Sequence, residues 1–265
     1  MKKAVHTALI TGASSGIGEA LARCFATDGH ALVLVARSAD KLKALAAELE
    51  AAHGVKVVVQ PADLAEPDAA KALFAALKRK RIAVDMLVNN AGVLEQGAFT
   101  GITPQRHQEL IALNVAGLTA MLAHFVPPMQ QRGFGRVLNV ASIAAFQPVP
   151  TLATYAATKA YVLSLTESLA EELKGGGVTV TALCPGVTAT GMLTSAAAAN
   201  DQLGKLPGFL VGDANEVAAA GYKACMNGEV IRVPGVVNFA ATLAARATPK
   251  WLLRRVAGTV TRKAL

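Results

Sequence analysis

The sequence predicts a doubly wound α/β fold, in which a parallel sheet is covered by helices on both faces. Three observations predict it. Short continuous apolar runs alternate with helix-periodic segments, the pattern of strands buried on both sides. A glycine-rich turn, Thr11-Gly12-Ala13-Ser14-Ser15-Gly16-Ile17-Gly18, follows the first of these runs and opens the first helix. The 265 residues are 53% hydrophobic and show no linker, repeat or composition break, which fits one large core.

Each element has its own signal. His6 to Ile10 reads as a buried strand, and Gly16 to Asp28 as a helix with Ala20, Leu21, Cys24 and Phe25 at helical spacing. Ala31 to Val35 is the second strand, after which Ser38 caps a helix through about His53, stopped by Gly54. Val55 to Val59 forms a third strand and Pro67 begins another helix. Met86 to Val88 is a short fourth strand ending in Asn89-Asn90-Ala91-Gly92. Thr103 and Pro104 open a long helix expected to end around the paired Pro127 and Pro128. Val137 to Val140 is the fifth strand. The next helix carries Tyr155 and Lys159 to Leu173, where Gly175-Gly176-Gly177 ends it before a sixth strand, Val178 to Leu183. Asp213-Ala214-Asn215-Glu216 has capping-box character ahead of an alanine-rich helix, and Val230 to Val233 is a short last strand. Right-handed crossovers place the helices on both faces of the sheet.

Composition excludes several classes. No eighteen-residue apolar run occurs, so no transmembrane helix is expected, and Ala4 to Ile10 is read as a strand and not as a signal peptide. Cys24, Cys184 and Cys225 are odd in number and widely spaced, matching neither a disulfide framework nor a zinc motif, so a reducing cytoplasm is expected. The five histidines never share a metal-ligand spacing with Cys, Asp or Glu, so no metal is expected. The net charge of +8 is concentrated at the end, where seven bases and no acid follow Glu229. These bases carry no aromatic platform or nucleic-acid motif, so no nucleic-acid partner is expected.

The chemistry centres on Tyr155-Ala156-Ala157-Thr158-Lys159. On a helix this spacing sets a phenol and an ammonium on one face, where the positive charge favours ionisation of the phenol. Ser142 lies thirteen residues upstream, just after a strand. The glycine turn allows close approach of the backbone to a pyrophosphate, and the following helix offers its free N–H groups and dipole. After the second strand the chain reads Val35-Ala36-Arg37-Ser38. An acid there would accept from a ribose 2′-hydroxyl. Arg37 instead suits a 2′-phosphate, which predicts NADP(H).

Together these segments resemble the short-chain dehydrogenase/reductase family in its compact single-domain branch, over roughly the first 190 residues. The resemblance implies a Rossmann fold. It implies that Gly12, Ser14, Ser15, Gly16, Ile17 and Gly18 hold the cofactor, that Asp63, next to Leu64, binds the adenine amino group, and that Asn90, Ala91 and Gly92 back the adenosine. Asn114, Ser142, Tyr155 and Lys159 match the family's catalytic tetrad. Pro185-Gly186-Val187-Thr188-Ala189-Thr190 matches the loop at the nicotinamide end, with Thr188 and Thr190 as contacts. In the implied roles Ser142 stabilises the substrate oxygen, Tyr155 is the acid/base, Lys159 lowers the phenol pKa and bonds the nicotinamide ribose, and Asn114 holds a relay water.

The segments that vary in such proteins, Val93 to Gly101, Ile143 to Pro150 and Gly191 to Leu210, carry mostly apolar side chains here, including Val93, Leu94, Phe146, Val149, Met192, Leu193, Leu206 and Phe209. An apolar ketone, aldehyde or 3-oxoacyl substrate is therefore expected. A domain from 1 to 248, with its substrate loop at 191–211, is followed by a basic amphipathic helix from 249 to 265. In that helix Trp251, Leu252, Leu253, Val256 and Val260 are placed on one side and Arg254, Arg255 and Arg262 largely opposite. A homodimer or homotetramer is expected, the relatives' tetramer itself not being carried over. This tail, which departs from the family's common ending, would dock on the domain, a partner subunit or an anionic membrane surface. Two alternatives share the motifs: a non-catalytic NADP-binding regulator, and a lyase or epimerase that uses the nicotinamide transiently.

Overall fold

The computed structural model describes residues 5–189 and 211–262. Its described strands are β1 (Thr7–Thr11), β2 (Ala31–Ala36), β3 (Val57–Pro61), β4 (Met86–Asn89), β5 (Gly135–Val140), β6 (Val178–Leu183) and β7 (Ile231–Arg232). They form one sheet in the order β3-β2-β1-β4-β5-β6-β7, every pair parallel. The fold is thus the doubly wound Rossmann arrangement the sequence predicts. The order reverses between β1 and β4, and a crevice opens there beyond the carboxyl ends of the strands.

Alternate residues of each strand face opposite helical layers. Ala8, Ile10, Leu32, Leu34, Met86 and Val88 pack with Leu21 and Phe25 of α1 (Gly16–Thr27) and Leu42, Leu45 and Leu49 of α2 (Ala39–His53). Leu9, Val33, Leu87, Val137 and Val180 face the other way. They meet Leu73 and Leu77 of α3 (Ala69–Arg79), Met121 and Phe125 of α5 (Leu118–Gln131) and Val162 of α6 (Ala153–Glu172).

Strand β3 and the helix from Pro104 differ from expectation. Strand β3 starts two residues late, because Gly54 caps α2 in the left-handed region at φ 65° and the chain regains the sheet only when Leu32 N–H donates to Lys56 O. The expected single helix from Pro104 is α4 (Pro104–Ile111), a π-helical turn over Ala112–Gly117, and then α5. It continues through Pro127 and Pro128 to Gln131. Buried Val126 and Met129 on either side of the prolines anchor the last turn in the core, and that packing outweighs two lost backbone bonds. The span 104–131 is long and apolar enough to cross a membrane, yet it buries one face against the sheet.

Beyond α7 (Ala214–Asn227), whose N-terminus Asp213 caps by accepting from the N–H groups of Asn215 and Glu216, the tail holds two helices. The sequence reading omitted α8 (Val236–Ala247), and α9 spans Lys250–Arg262. Trp251 does not join the apolar side of α9. One turn separates it from Arg255, whose guanidinium carbon lies 5.7 Å from the indole centroid, so the two share a face.

Candidate active site

The crevice is a cavity of about 620 Å³ whose wall includes the glycine turn, the ends of β2 and β4, the loops after β5 and β6, and one face of α6. Its floor is tied by Thr11. The Thr11 hydroxyl donates to Val88 O (3.2 Å) and accepts from the N–H groups of Asn90 (2.9 Å) and Ala91 (3.0 Å). In return the Asn90 amide donates to the carbonyls of Thr11 (3.0 Å) and Gly12 (3.2 Å). Asn90 thus spends its amide group on bracing the turn while the residue still lines the cavity.

Gly12 and Gly16 adopt φ of 65° and 58°, a region that penalises any Cβ. Gly18 is needed for a different reason, since a Cβ there would lie 2.3 Å from Gly12 O. Helix α1 can therefore seat its N-terminus directly against the turn. Ser15 makes no side-chain cap to that helix, so first-turn N–H groups and the positive dipole end are available beside Ser14, Ser15, Gly16 and Ile17. This cradle fits the pyrophosphate of a dinucleotide.

Farther along the wall, Arg37 is largely exposed and stands 3.8 Å from Asp63 Oδ2. Ser38, Lys41 and Leu64 line the same stretch. Lys41 was not foreseen, although its place in the first turns of the helix following Arg37 was a readable signal.

On the opposite wall Ser142 follows β5, its hydroxyl accepting from Ala144 N–H at 3.1 Å. Ile143 N–H donates to Pro185 O at 3.0 Å and ties this loop to the one after β6. Tyr155 faces Ser142 from α6. Burial pushes the phenol above its ordinary pKa, and the hydrogen bond with Ser142 draws it partly back. One turn on, the Lys159 ammonium is buried, lies 5.7 Å from the Tyr155 ring centroid and donates to Val140 O at 2.8 Å. Burial lowers it to about 8. The neighbouring Cys184 thiol is itself pushed up to about 12 by burial, so it offers no anionic partner near neutrality. Against the expectation of a lowered phenol pKa, Tyr155 stands above its ordinary value. Desolvation dominates both side chains, and the ammonium is directed at Val140.

Asn114 sits in the π-helical turn, behind the wall. Its Oδ1 accepts from Val93 N–H (2.9 Å), and its Nδ2 donates to Val93 O (2.9 Å) and to Thr158 Oγ1 (3.2 Å). The side chain therefore clasps α6 to the loop after β4, with both amide hydrogens engaged.

The structure gathers Gly12, Ser14, Ser15, Gly16, Ile17, Arg37, Asp63, Leu64, Asn90, Ala91, Gly92, Ser142, Tyr155, Lys159, Pro185, Gly186 and Thr188 around this one cavity. Gly18 and Asn114 support it from behind. Thr190, with Met192, Leu193, Leu206 and Phe209, lies outside the described residues. Val93, Leu94, Val149 and Leu152 give the mouth beside Tyr155 an apolar lining, interrupted by Gln147, which the sequence reading did not single out. Phe146 does not join them: it packs on the core beneath Arg246, whose guanidinium carbon is 5.6 Å from the ring centroid.

A model of the short chain dehydrogenases matches residues 6–201. The chain is similar to a short-chain dehydrogenase from Sphingobium yanoikuyae solved in complex with NADPH. The TM-score is 0.82 at 36% identity, covering 91% of this chain and 93% of that one. It is also similar to the bulky-bulky ketone specific alcohol dehydrogenase from Comamonas testosteroni (TM-score 0.78, 32% identity, 92% and 93% covered). A third similar structure, a short chain dehydrogenase/reductase from Burkholderia phymatum (TM-score 0.81, 28% identity, 92% and 93% covered), was solved in complex with NAD.

Proposed function

The chain belongs to the short-chain dehydrogenase/reductase family, nicotinamide-dependent oxidoreductases of alcohol and ketone groups, and from that premise we propose that it interconverts an apolar ketone or aldehyde and its alcohol with NADP(H), Tyr155 serving as acid/base. The observation that carries this reading is the meeting of Ser142, Tyr155 and Lys159 in the same cavity as the glycine turn. When bound, the nicotinamide cofactor supplies or accepts the hydride. The chain's own residues do the rest. Ser142 donates a hydrogen bond to the substrate oxygen as negative charge grows there. Tyr155 gives that oxygen its proton in reduction and removes it in oxidation, and its high pKa in the protein suits the donor role. Lys159, cationic below about pH 8, places positive charge beside the phenolate that remains.

Arg37, Lys41 and Ser38 support NADP(H) over NAD(H), since two cations and a hydroxyl border the cavity where an NAD site would place an acid. The apolar mouth supports a hydrophobic carbonyl substrate, and a ketone-specific dehydrogenase among the similar structures agrees with it. The domain from 1 to 248 would carry this chemistry, and a homo-oligomer agrees with the family. The test follows NADPH absorbance with a panel of bulky apolar ketones, aldehydes and 3-oxoacyl thioesters. Turnover should fall at least about 100-fold in Tyr155→Phe while nucleotide binding persists. Substantial activity in that variant would overturn the acid/base assignment.

A further inference from the structure

Helix α8 is amphipathic in the inverted sense. The side toward the domain is small and polar: Thr242 and Ala245 are buried, and Asn238 donates to Pro234 O at 3.0 Å and stands so near the loop after β6 that a Cβ on Gly186 would lie 2.5 Å from its Nδ2. The side toward solvent is apolar. Val236, Phe239, Ala240, Leu243 and Ala247 line one face, Phe239 and Ala240 side by side and the others three or four residues on. Of these, Val236 is 86% exposed, Phe239 56% and Leu243 60%. Among the described residues, none beyond Val233 enters the three core clusters. Leu252 extends this exposed surface onto α9, and exposed Trp251 stands beside Arg255 among the cations.

Charge identifies the occupant. Glu229 is the last acid of the sequence and seven bases follow it. Arg232 and Arg246 pair with Glu229 (3.6 Å) and Glu167 (3.5 Å). Lys250, Arg254 and Arg255 are exposed. A second copy placed on this face would bring these cations toward their own kind with no Asp or Glu from either tail between them. A sheet of anionic lipid headgroups over an apolar interior matches both properties at once, taking the apolar side chains below the headgroups and the cations among them. We propose that α8 and α9 form a peripheral docking surface for anionic lipid bilayers. The loop after β6, braced by Asn238, would then lie beside the membrane, on the side of the molecule from which an apolar substrate partitions.

The experiment uses the full chain, with vesicles of phosphatidylglycerol and phosphatidylcholine compared with phosphatidylcholine alone, read by cosedimentation at low and high salt. The protein should pellet with the anionic vesicles and be released by salt. Each base near such a surface is worth about fivefold in partitioning, so Arg254→Ala with Arg255→Ala should weaken binding roughly 30-fold. Phe239→Asp with Leu243→Asp should abolish it. Both changes lie on exposed positions and should leave turnover of a water-soluble carbonyl unaltered, which also shows that the variants fold. Wild-type protein that remains in the supernatant with anionic vesicles would overturn the proposal. So would variants that pellet as well as wild type, or an apolar-face variant that merely converts a dimer to a monomer in light scattering.

Discussion

Replacing Lys159 by Met should destroy the enzyme and stabilise the protein, and the structure gives the size and pH dependence of the gain. Burial lowers the Lys159 pKa from 10.5 to about 8. Below pH 8 the side chain is protonated in both folded and unfolded states, and the folded state bears the full cost of a buried charge. That cost is about 3 kcal/mol, the free-energy equivalent of lowering the pKa from 10.5 to about 8. Between pH 8 and 10.5 the unfolded chain binds more protons than the folded one, so the wild type regains stability as pH rises, and above 10.5 nothing remains of the penalty. Met fills much the same volume without the charge, but leaves Val140 O without the 2.8 Å bond it receives from Lys159, a loss of about 1 kcal/mol. The net gain at pH 7 is about 2 kcal/mol, or some 4–8 °C in Tm for a chain of this size. Thermal melts of nucleotide-free wild type and variant, collected from pH 7 to 10.5, isolate this residue because other titrating groups cancel in the difference. The variant should melt higher at pH 7, and its advantage should vanish or reverse near pH 10. A variant that melts no higher at pH 7, or a difference that ignores pH, would refute the reasoning.

Two further predictions concern the cofactor side of the cavity. Arg37→Ala should weaken NADPH far more than NADH, and adding Lys41→Ala should cost about another tenfold for NADPH alone, since each cation would contribute about 1–2 kcal/mol to a phosphate contact; equal losses for both nucleotides in titration calorimetry would place these cations elsewhere. Gly18→Ala should lower nucleotide affinity at least about tenfold and lower Tm, because the added Cβ would meet Gly12 O at 2.3 Å and drive α1 off the turn; unchanged affinity by calorimetry would mean that the turn tolerates displacement.

What was legible in the sequence follows a physical division. Strands buried on both faces write themselves as continuous apolar runs, so Ala31–Val35 and Val178–Leu183 were readable almost to the residue. The glycine turn, Ser142, Tyr155 and Lys159 were readable because each carries its chemistry in residue type and local spacing. Long-range partnerships were not. Thr11 and Asn90 are 79 residues apart and meet only through β1–β4 pairing, and Asn238 reaches Gly186 only because the chain returns past the sheet. Helix α8 was missed because its apolar stripe is not a core stripe, and Trp251 was misplaced because three consecutive residues of a helix span 200° and cannot share one side. Lys159 shows the sharpest limit. The sequence supplies the phenol and the ammonium, but their pKa values depend on burial, which no spacing encodes.

That burial carries a mechanical consequence. Helix α6 bears Tyr155 and Lys159, and it is held to the sheet and to the turn that carries Asn114 by polar contacts along its length. Lys159 bonds Val140 O, Thr158 receives the Asn114 amide, and Asn139 donates to Thr166 (2.9 Å) while accepting from Asn89 (2.9 Å). Apolar packing alone would let the helix slide or rotate by a fraction of a turn at little cost, because hydrophobic contact is not directional. Hydrogen bonds inside a dry layer tolerate no such shift, since a broken one leaves a buried group unpaired at about 1–3 kcal/mol. The Asn89–Asn139–Thr166 chain crosses β4, β5 and α6 roughly two turns beyond Lys159, and the Asn114 clasp fixes the same helix at Thr158. The phenol and ammonium are thereby fixed against Ser142 before any substrate arrives, and the reaction need not supply that ordering. The same argument explains why the chain accommodates a charged lysine that opposes folding near neutrality: its bond to Val140 is one of the contacts that set the register of the helix that carries Tyr155.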